Sequence, residues 1–226
     1  MSIRIAIDGP SGSGKSTLAK NIAKASGLTY VDTGALYRAV GLYAQSAGIK
    51  KEEASQITRL LPNITVNLLY SDGEQKVFLN GNDVSSLIRT PEISMYASAV
   101  SAVPAVRKFL LEIQKKMAHE GNVIMDGRDI GTVIMPDADV KLFLEPSPRE
   151  RAHRRWLELR EKNIECSEEE VYNDIVKRDT NDKNREVSPA VAAEDAIYLD
   201  NSGFTAEQTA KAALKIINDK LNRSVL

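Results

Sequence analysis

Cysteine, histidine and long apolar runs are scarce in this chain. A single cysteine, Cys166, in 226 residues leaves no internal disulfide to form. That excludes a disulfide scaffold and makes a reducing compartment the simplest setting. The two histidines, His119 and His153, read as surface residues rather than catalysts. No apolar run approaches the roughly 18 residues of a membrane span, so no membrane partner is expected. Charge of one sign is also missing: 30 Lys+Arg face 31 Asp+Glu, a net charge of −1. A generic nucleic-acid coat needs a basic excess, so no nucleic-acid partner is expected. Residues 1–4 lead straight into a strand pattern and a glycine-rich turn, unlike a secretory signal. There is no internal repeat and no low-complexity tract. What remains is 42% hydrophobic and 27% charged, a globular balance at a length that suits one domain, residues 1–226, with room for an insertion.

The pattern along the chain is α/β. Residues 3–7 are a brief apolar run stopped by Asp8-Gly9-Pro10, as a buried parallel strand would be. Residues 15–25 carry Leu18, Ile22 and Ala25 on one helical face. A second short strand at 29–31 precedes a helical pattern at 35–47. Three more apolar runs, 123–125, 140–144 and 197–199, each end at an acid: Asp126, Glu145 and Asp200. Val106, Leu110, Ile113 and Met117 mark one helix between them, and Ala210, Leu214, Ile217 and Leu221 mark another after them. Capping signals occur at Ser147 with Glu150, Ser167 with Glu170, and Thr205 with Gln208. Five strands alternating with helices predict a three-layer fold around a five-stranded parallel sheet.

Two segments break that rhythm. Residues 64–83 read as a small antiparallel β insertion, with turns at Asp72-Gly73 and Asn80-Gly81. Residues 147–186 hold 21 charged side chains in 40, about twice the density of the whole. Two capped helices joined near residues 163–166 suit that segment, either as a solvated hairpin or as a moving part.

The strongest signal is Gly9-Pro10-Ser11-Gly12-Ser13-Gly14-Lys15-Ser16, a complete G-x-x-x-x-G-K-S phosphate loop. It follows a strand and opens a helix, as its chemistry requires. Glycines let backbone N–H groups turn inward around phosphate, and the helix start adds about +0.5 of charge. Lys15 can reach the β- and γ-phosphates, and the Ser16 hydroxyl can ligate Mg²⁺. Mg²⁺-ATP is therefore the expected co-substrate. The sequence has no N-K-x-D segment for reading guanine and no strand ending in paired acids, which speaks against a GTPase switch and a motor ATPase. Instead Arg38, Arg128, Arg178 and Arg185 sit where the strand ends open. Arginine suits bidentate contact with phosphate, so a second phosphate-bearing substrate is implied.

With these residues in view, the chain resembles the bacterial cytidylate kinases, within the nucleoside-monophosphate kinases. The resemblance is carried by residues 8–17, by Asp32-Thr33-Gly34-Ala35-Leu36-Tyr37-Arg38, by Asp126-Gly127-Arg128-Asp129-Ile130-Gly131-Thr132 and by Arg178-Asp179-Thr180-Asn181-Asp182-Lys183-Asn184-Arg185. It spans essentially the whole chain, insertion included. It implies transfer of the ATP γ-phosphoryl group to CMP or dCMP in pyrimidine metabolism, in the cytoplasm, by a monomer. By that resemblance Gly9, Pro10, Ser11, Gly12, Ser13, Gly14, Lys15, Ser16 and Thr17 hold ATP, with Ser16 on the metal. Thr33, Arg38, Ser98, Arg107, Arg128, Asp129, Arg178, Asp182 and Arg185 hold the monophosphate, within a region at about 35–105 and beyond it. Some members carry Ser where this chain has Thr33, and both supply a hydroxyl. Lys15, Arg128, Arg155 and Arg178 act on the transferring group. Arg151, Arg154 and Arg155 match a basic cluster in the family's lid, here about 147–186.

Base chemistry agrees. Cytosine offers an exocyclic amine, which a carboxylate such as Asp129 accepts, and ring acceptors that suit Arg107 and Ser98. Uracil would turn a carbonyl toward Asp129, at a cost of about 1–3 kcal/mol, roughly tenfold to a hundredfold in selectivity. Plainer readings stand beside these: Asp129 as a helix cap, Arg107 as a surface arginine, Ser98 as a packing residue. No general base is needed, because the attacking phosphate oxygen, with a second pKa of about 6, is mostly deprotonated at neutral pH. Two rivals remain open in the sequence. One is a kinase of the same fold acting on UMP or another acceptor, with Asp8 or Asp32 as base for a hydroxyl. The other is a nucleotide-binding regulatory module without turnover.

Overall fold

A computed structural model describes residues 2–71 and 74–222. In chain order its strands and α-helices are β1 (Arg4–Asp8), α1 (Lys15–Ser26), β2 (Thr29–Asp32), α2 (Thr33–Ser46), β3 (Val66–Ser71), β4 (Glu74–Leu79), β5 (Asn82–Asp83), α3 (Pro91–Ser101), α4 (Pro104–Ala118), β6 (Val123–Gly127), β7 (Val140–Leu144), α5 (Pro148–Glu161), α6 (Glu168–Lys183), β8 (Ile197–Leu199) and α7 (Ala206–Leu221). Five strands form one sheet in the order β2-β6-β1-β7-β8, and three form another in the order β3-β4-β5. The chain divides into two compact units, residues 1–28 with 121–226, and residues 29–120.

In the first unit, every residue of β6 and β7 is buried. Both faces of the sheet are therefore covered, as the unbroken apolar runs require. β1 pairs in parallel with β6 and with β7, and its last residue, Asp8, lies level with Gly127 and Phe143. The loops that follow these three strands consequently leave from one edge, where open α/β sheets bind ligands. α1 buries Leu18, Ala19, Ile22 and Ala23 and stops at Gly27 in left-handed geometry. α7 buries Ala213 and Ile217.

α5 and α6 pack on each other around Ala152, Leu159, Val171 and Ile175, with Trp156 and Tyr172 against them. A hairpin with its own small core is what the charged segment builds. Full capping boxes close α6 at Ser167 with Glu170 and α7 at Thr205 with Gln208. The box expected at Ser147 is half made. Its hydroxyl accepts from Glu150 N–H, but Ser147 N–H donates to Ser202 Oγ, and the Glu150 carboxylate accepts from Arg154 Nε. Asn163 turns the joint with φ 55°.

The second unit is built around α2, whose Leu36, Ala39 and Val40 are fully buried with Ile57, Ile88, Val106 and Leu110. The insertion is the antiparallel meander that its alternation predicted. Val66 lies opposite Leu79, and Leu79 opposite Asn82. Asn80 and Gly81 both take positive φ, 49° and 82°, so the turn is of the I′ kind that this dipeptide favours. The turn expected at Asp72-Gly73 lies outside the described residues. α3 was not foreseen. Thr90 Oγ1 accepts from Ile93 N–H at 3.1 Å and Pro91 opens the helix, a start signal that was legible. No helix among the described residues is long and apolar enough to cross a membrane.

Candidate active site

The phosphate loop leaves β1 through Gly9, where a Cβ would lie 2.3 Å from the Leu144 carbonyl oxygen. Only glycine fits so close a backbone approach. The loop enters α1 through Gly14 (φ 86°), which supplies no side-chain cap. The first-turn amides of α1 are thereby left for an anion, reinforced by the helix dipole. Lys15 is buried, and its Nζ donates to the Pro10 carbonyl at 2.8 Å. Burial, then the Arg128 guanidinium, bring its pKa down from 10.5 to about 7, against the pull of Asp126 and Asp8. Ser16 Oγ donates to Asp126 Oδ2 at 2.7 Å.

Three further side chains hold the loop. Arg151, also buried, donates to the Ser11 carbonyl at 3.0 Å and to Asp179 at 2.6 Å. Buried Asn201 donates from Nδ2 to the Ser13 carbonyl at 3.1 Å. Arg154 donates to the Asn201 carbonyl at 2.7 Å. Of the three clustered arginines on α5, Arg151 is thus a brace and Arg154 a tie. Arg155 pairs with Glu158 at 2.8 Å, and its charge reaches Arg178. Two cavities flank the loop. One, of about 430 Å³, is lined by Gly9, Pro10 and Asp182, and the other, of about 390 Å³, by Lys15, Thr17, Arg154 and Phe204.

Guanidinium groups converge in this unit. Burial lowers the pKa of Arg178, and the neighbouring Arg155 and Arg128 charges lower it further, partly offset by Asp174 and Asp182. Asp182 accepts from Arg128 Nε at 3.1 Å and sits 3.5 Å from Arg185 Nη1. Arg185 turns inward, its side chain 6% exposed, and donates to the Ser188 carbonyl. So Lys15, Arg128, Arg155, Arg178 and Arg185 are brought together. Asp129 is buried at the start of a one-turn π-helix, 130–134, which its side chain does not cap. The capping explanation for Asp129 is therefore excluded. Asp8 takes that place instead, accepting from Ile130 N–H at 2.8 Å and Gly131 N–H at 2.7 Å.

The second unit gathers the other expected residues. Thr33 is buried at the first position of α2. Asp32 caps that helix, accepting from Ala35 N–H at 3.0 Å. Burial pushes its carboxyl up, but Arg38 at 3.6 Å and Arg89 at 2.9 Å more than offset this and hold it below the usual carboxylate range. Arg107 is buried, with its guanidinium 5.4 Å over the Tyr37 ring and a bond to the Ser101 carbonyl. It is no surface arginine. Ser98 is half-buried on α3, and its carbonyl accepts from Ser101 Oγ at 2.8 Å.

His119 and His153 are exposed. Asp8 and Asp32 are both engaged as described, Asp8 on the 130–134 turn and Asp32 with Arg38 and Arg89. Among the described residues no group of three or more His, Cys, Asp or Glu side chains could hold a metal. The Ser16 hydroxyl and Asp126 carboxylate do fit Mg²⁺, which binds through one or two carboxylates plus substrate phosphates. Asp126, Asn201 and Arg89 were missed as site residues, and Asp8 was weighed only as a base for a hydroxyl acceptor. Asp126 and Asp8 had a signal, since each ends an apolar run. Asn201 and Arg89 had none.

A covered parallel sheet, a phosphate loop on its first strand and converging guanidinium groups define a P-loop kinase. The cytidylate kinase family model matches residues 5–219, and the chain belongs to that family. It is 49% identical over 218 residues to the cytidylate kinase of Carboxydothermus hydrogenoformans, covering 96% of this chain and 98% of that one. It is 47% identical over 220 residues to that of Fervidobacterium nodosum, covering 97% and 98%. A solved shikimate kinase from Bacteroides thetaiotaomicron aligns at 14% identity and TM-score 0.47, over 96% and 99% of the two chains.

Proposed function

We propose that this chain transfers the γ-phosphoryl group of ATP to CMP or dCMP, giving ADP and CDP or dCDP. Residues 9–17 hold the ATP phosphates, and the cavity beside Thr17, Arg154 and Phe204 takes the rest of the donor. Thr33, Arg38, Ser98, Arg107, Arg128, Asp129, Arg178, Asp182 and Arg185 are the residues that bind the monophosphate. Ser16 and Asp126 hold Mg²⁺, which neutralises charge on the β- and γ-phosphates when bound.

One observation carries the reading: Lys15 lies in the field of Arg128, and Arg178 in the fields of both Arg155 and Arg128. Crowded like charges raise the energy of a site without a bound anion. A phosphoryl group in transfer, its charge spread over three oxygens, is the anion that such a site suits. A CMP phosphate oxygen attacks the γ-phosphorus, the bond to the β–γ bridging oxygen breaks, and ADP leaves with that electron pair. Chain residues align and neutralise, and no base is required. Residues 147–186 close over the nucleotides and exclude water. The lone thiol, Cys166, suits a cytoplasmic setting.

ADP release measured with CMP, dCMP, UMP and AMP as acceptors tests this. Preference for CMP and dCMP is expected. Preference for another acceptor, or ATP binding without turnover, overturns it.

A further inference from the structure

A trans peptide unit is planar, with its C=O and the following N–H pointing to opposite sides. Whatever holds the carbonyl therefore also aims the next amide. Two carbonyls of the phosphate loop are held by side chains from outside it. Arg151 Nη1, on α5, donates to Ser11 at 3.0 Å, and Asn201 Nδ2, just after β8, donates to Ser13 at 3.1 Å. The amides that these bonds aim belong to Gly12 and Gly14. Both glycines take left-handed φ, 75° and 86°, while Ser13 between them does not. Such alternation of hand turns successive N–H groups into one concave nest for an anion. Yet glycine adopts either hand readily, so a peptide unit beside one can turn over at little cost. Turned over, it would present a carbonyl oxygen to phosphate in place of an N–H.

The two holders are themselves fixed. Arg151 and Asn201 are each 2% exposed, so water does not compete for their donors. Arg151 Nε donates to the Pro146 carbonyl at 3.1 Å and Nη2 to Asp179 Oδ2 at 2.6 Å, so all three of its nitrogens are committed. Asn201 Nδ2 also donates to Thr209 Oγ1 at 3.4 Å. Each holder packs on the glycine that it serves. A Cβ on Gly12 would lie 3.4 Å from Arg151 Cβ, and one on Gly14 would lie 3.6 Å from Asn201 Nδ2.

We infer that Arg151 and Asn201 are positioning residues for phosphate binding: by holding the Ser11 and Ser13 carbonyls they lock the Gly12 and Gly14 amides toward the donor phosphates. This deepens the reading that residues 9–17 hold ATP, and rests on it. Asp179 serves the same end one step back, because it fixes the guanidinium that holds Ser11. Donors locked in this way meet the anion without first reorienting.

Two full-length variants test this. Asn201→Leu removes one holder at similar volume. Arg151→Met combined with Asp179→Leu removes the other without leaving a buried charge alone. The readings are KM for ATP and the inhibition constants of inorganic triphosphate and of adenosine, both against ATP. Each variant should raise KM for ATP and the triphosphate constant about tenfold, as for one weakened hydrogen bond to a charged group. The adenosine constant should move less than about twofold, because adenosine carries no phosphate for the loop amides. Unchanged constants, or an equal loss for all three, would overturn the inference. So would a rise for adenosine alone, which would make Asn201 a wall of the nucleoside cavity only. The unaltered chain covers the case of a variant that does not fold. With a non-hydrolysable ATP analogue bound, scalar couplings across hydrogen bonds should link the Gly12 and Gly14 amides to phosphorus. A bound analogue with neither coupling would overturn the inference. Failure of the analogue and of triphosphate to bind at all would instead sink the reading of residues 9–17.

Discussion

Ser16 Oγ and Asp126 Oδ2 stand 2.7 Å apart, joining the first turn of α1 to the end of β6. A hydroxyl and a carboxylate at that spacing, beside the phosphate loop, are two hard oxygen ligands already held together. Asp126→Asn should therefore raise the Mg²⁺ concentration for half-maximal activity at least about tenfold, since a neutral amide is the poorer ligand. Activity titrated with Mg²⁺ at saturating nucleotides checks this, and an unshifted curve would remove Asp126 from the metal site.

Crowded cations make the second expectation. Arg178 sits among Arg155 and Arg128, so removing it relieves repulsion while it removes charge from the transferring group. Arg178→Met should cut kcat roughly a hundredfold to a thousandfold. The same variant should melt no lower than the parent without nucleotide, the usual exchange between stability and a strained functional site. A lower melting temperature together with normal kcat would show that Arg178 is structural.

These two sites differ in how well the sequence announced them. The phosphate loop is local, and its glycines, Lys15 and Ser16 sit at fixed spacing, so reading it needed no fold. Asp126 was visible as the end of an apolar run, but its partner lies 110 residues away. Only the parallel register of β1 and β6 brings the two strand ends level. Asn201 and Arg151 grip the loop through backbone carbonyls of Ser13 and Ser11, and a carbonyl leaves no trace in sequence. The strands and most helices were legible because their burial is periodic. α3 escaped because its apolar face is narrow: only Ile93, Val100 and Ser101 are buried along it.

Lys15 gives a prediction in pH. Its pKa is near 7 without nucleotide, so above that pH most of the side chain is neutral. A bound triphosphate favours the ammonium form and raises the pKa. Binding should then take up protons at pH 8, and the uptake should fade as pH falls well below 7, where Lys15 is already charged. Calorimetry of ATP binding in buffers of different ionisation heat reads the number directly. Zero uptake at pH 8 would mean that Lys15 is charged in the empty loop.

Asp32 yields a stability prediction confined to the second unit. Its folded pKa lies below the ordinary value of 3.8 because Arg38 and Arg89 outweigh burial. A depressed carboxylate stabilises the fold above its unfolded pKa and loses that contribution as pH falls through the folded one. Asp32→Asn should keep the cap on α2 yet lose the ion pairs. Arg89 reaches solvent, but Arg38 Nη1 is buried without a hydrogen-bond partner and loses its counter-charge, so the cost should be about 2–4 kcal/mol. Denaturant unfolding at pH 7 should show that loss, and the two proteins should converge as pH falls from the unfolded value of 3.8 through the lower folded one. An equal gap at pH 7 and at the bottom of that range would place the effect in packing.

The α5–α6 hairpin carries the last expectation. It has its own core and a bond from the indole N–H of Trp156 to the Cys166 carbonyl at 3.1 Å, so it should move as one piece. Its turn, with Asn163 in left-handed geometry and Arg160 and Lys162 exposed, is the place where trypsin should cut first. With a non-hydrolysable ATP analogue plus CMP, the phosphates draw Arg155 and Arg178 inward and cleavage after Arg160 and Lys162 should slow. Either nucleotide alone should protect less, because each satisfies only part of the cation cluster. Cleavage at one rate under all four conditions would mean that the hairpin is a fixed wall of the site and that water is excluded by other means.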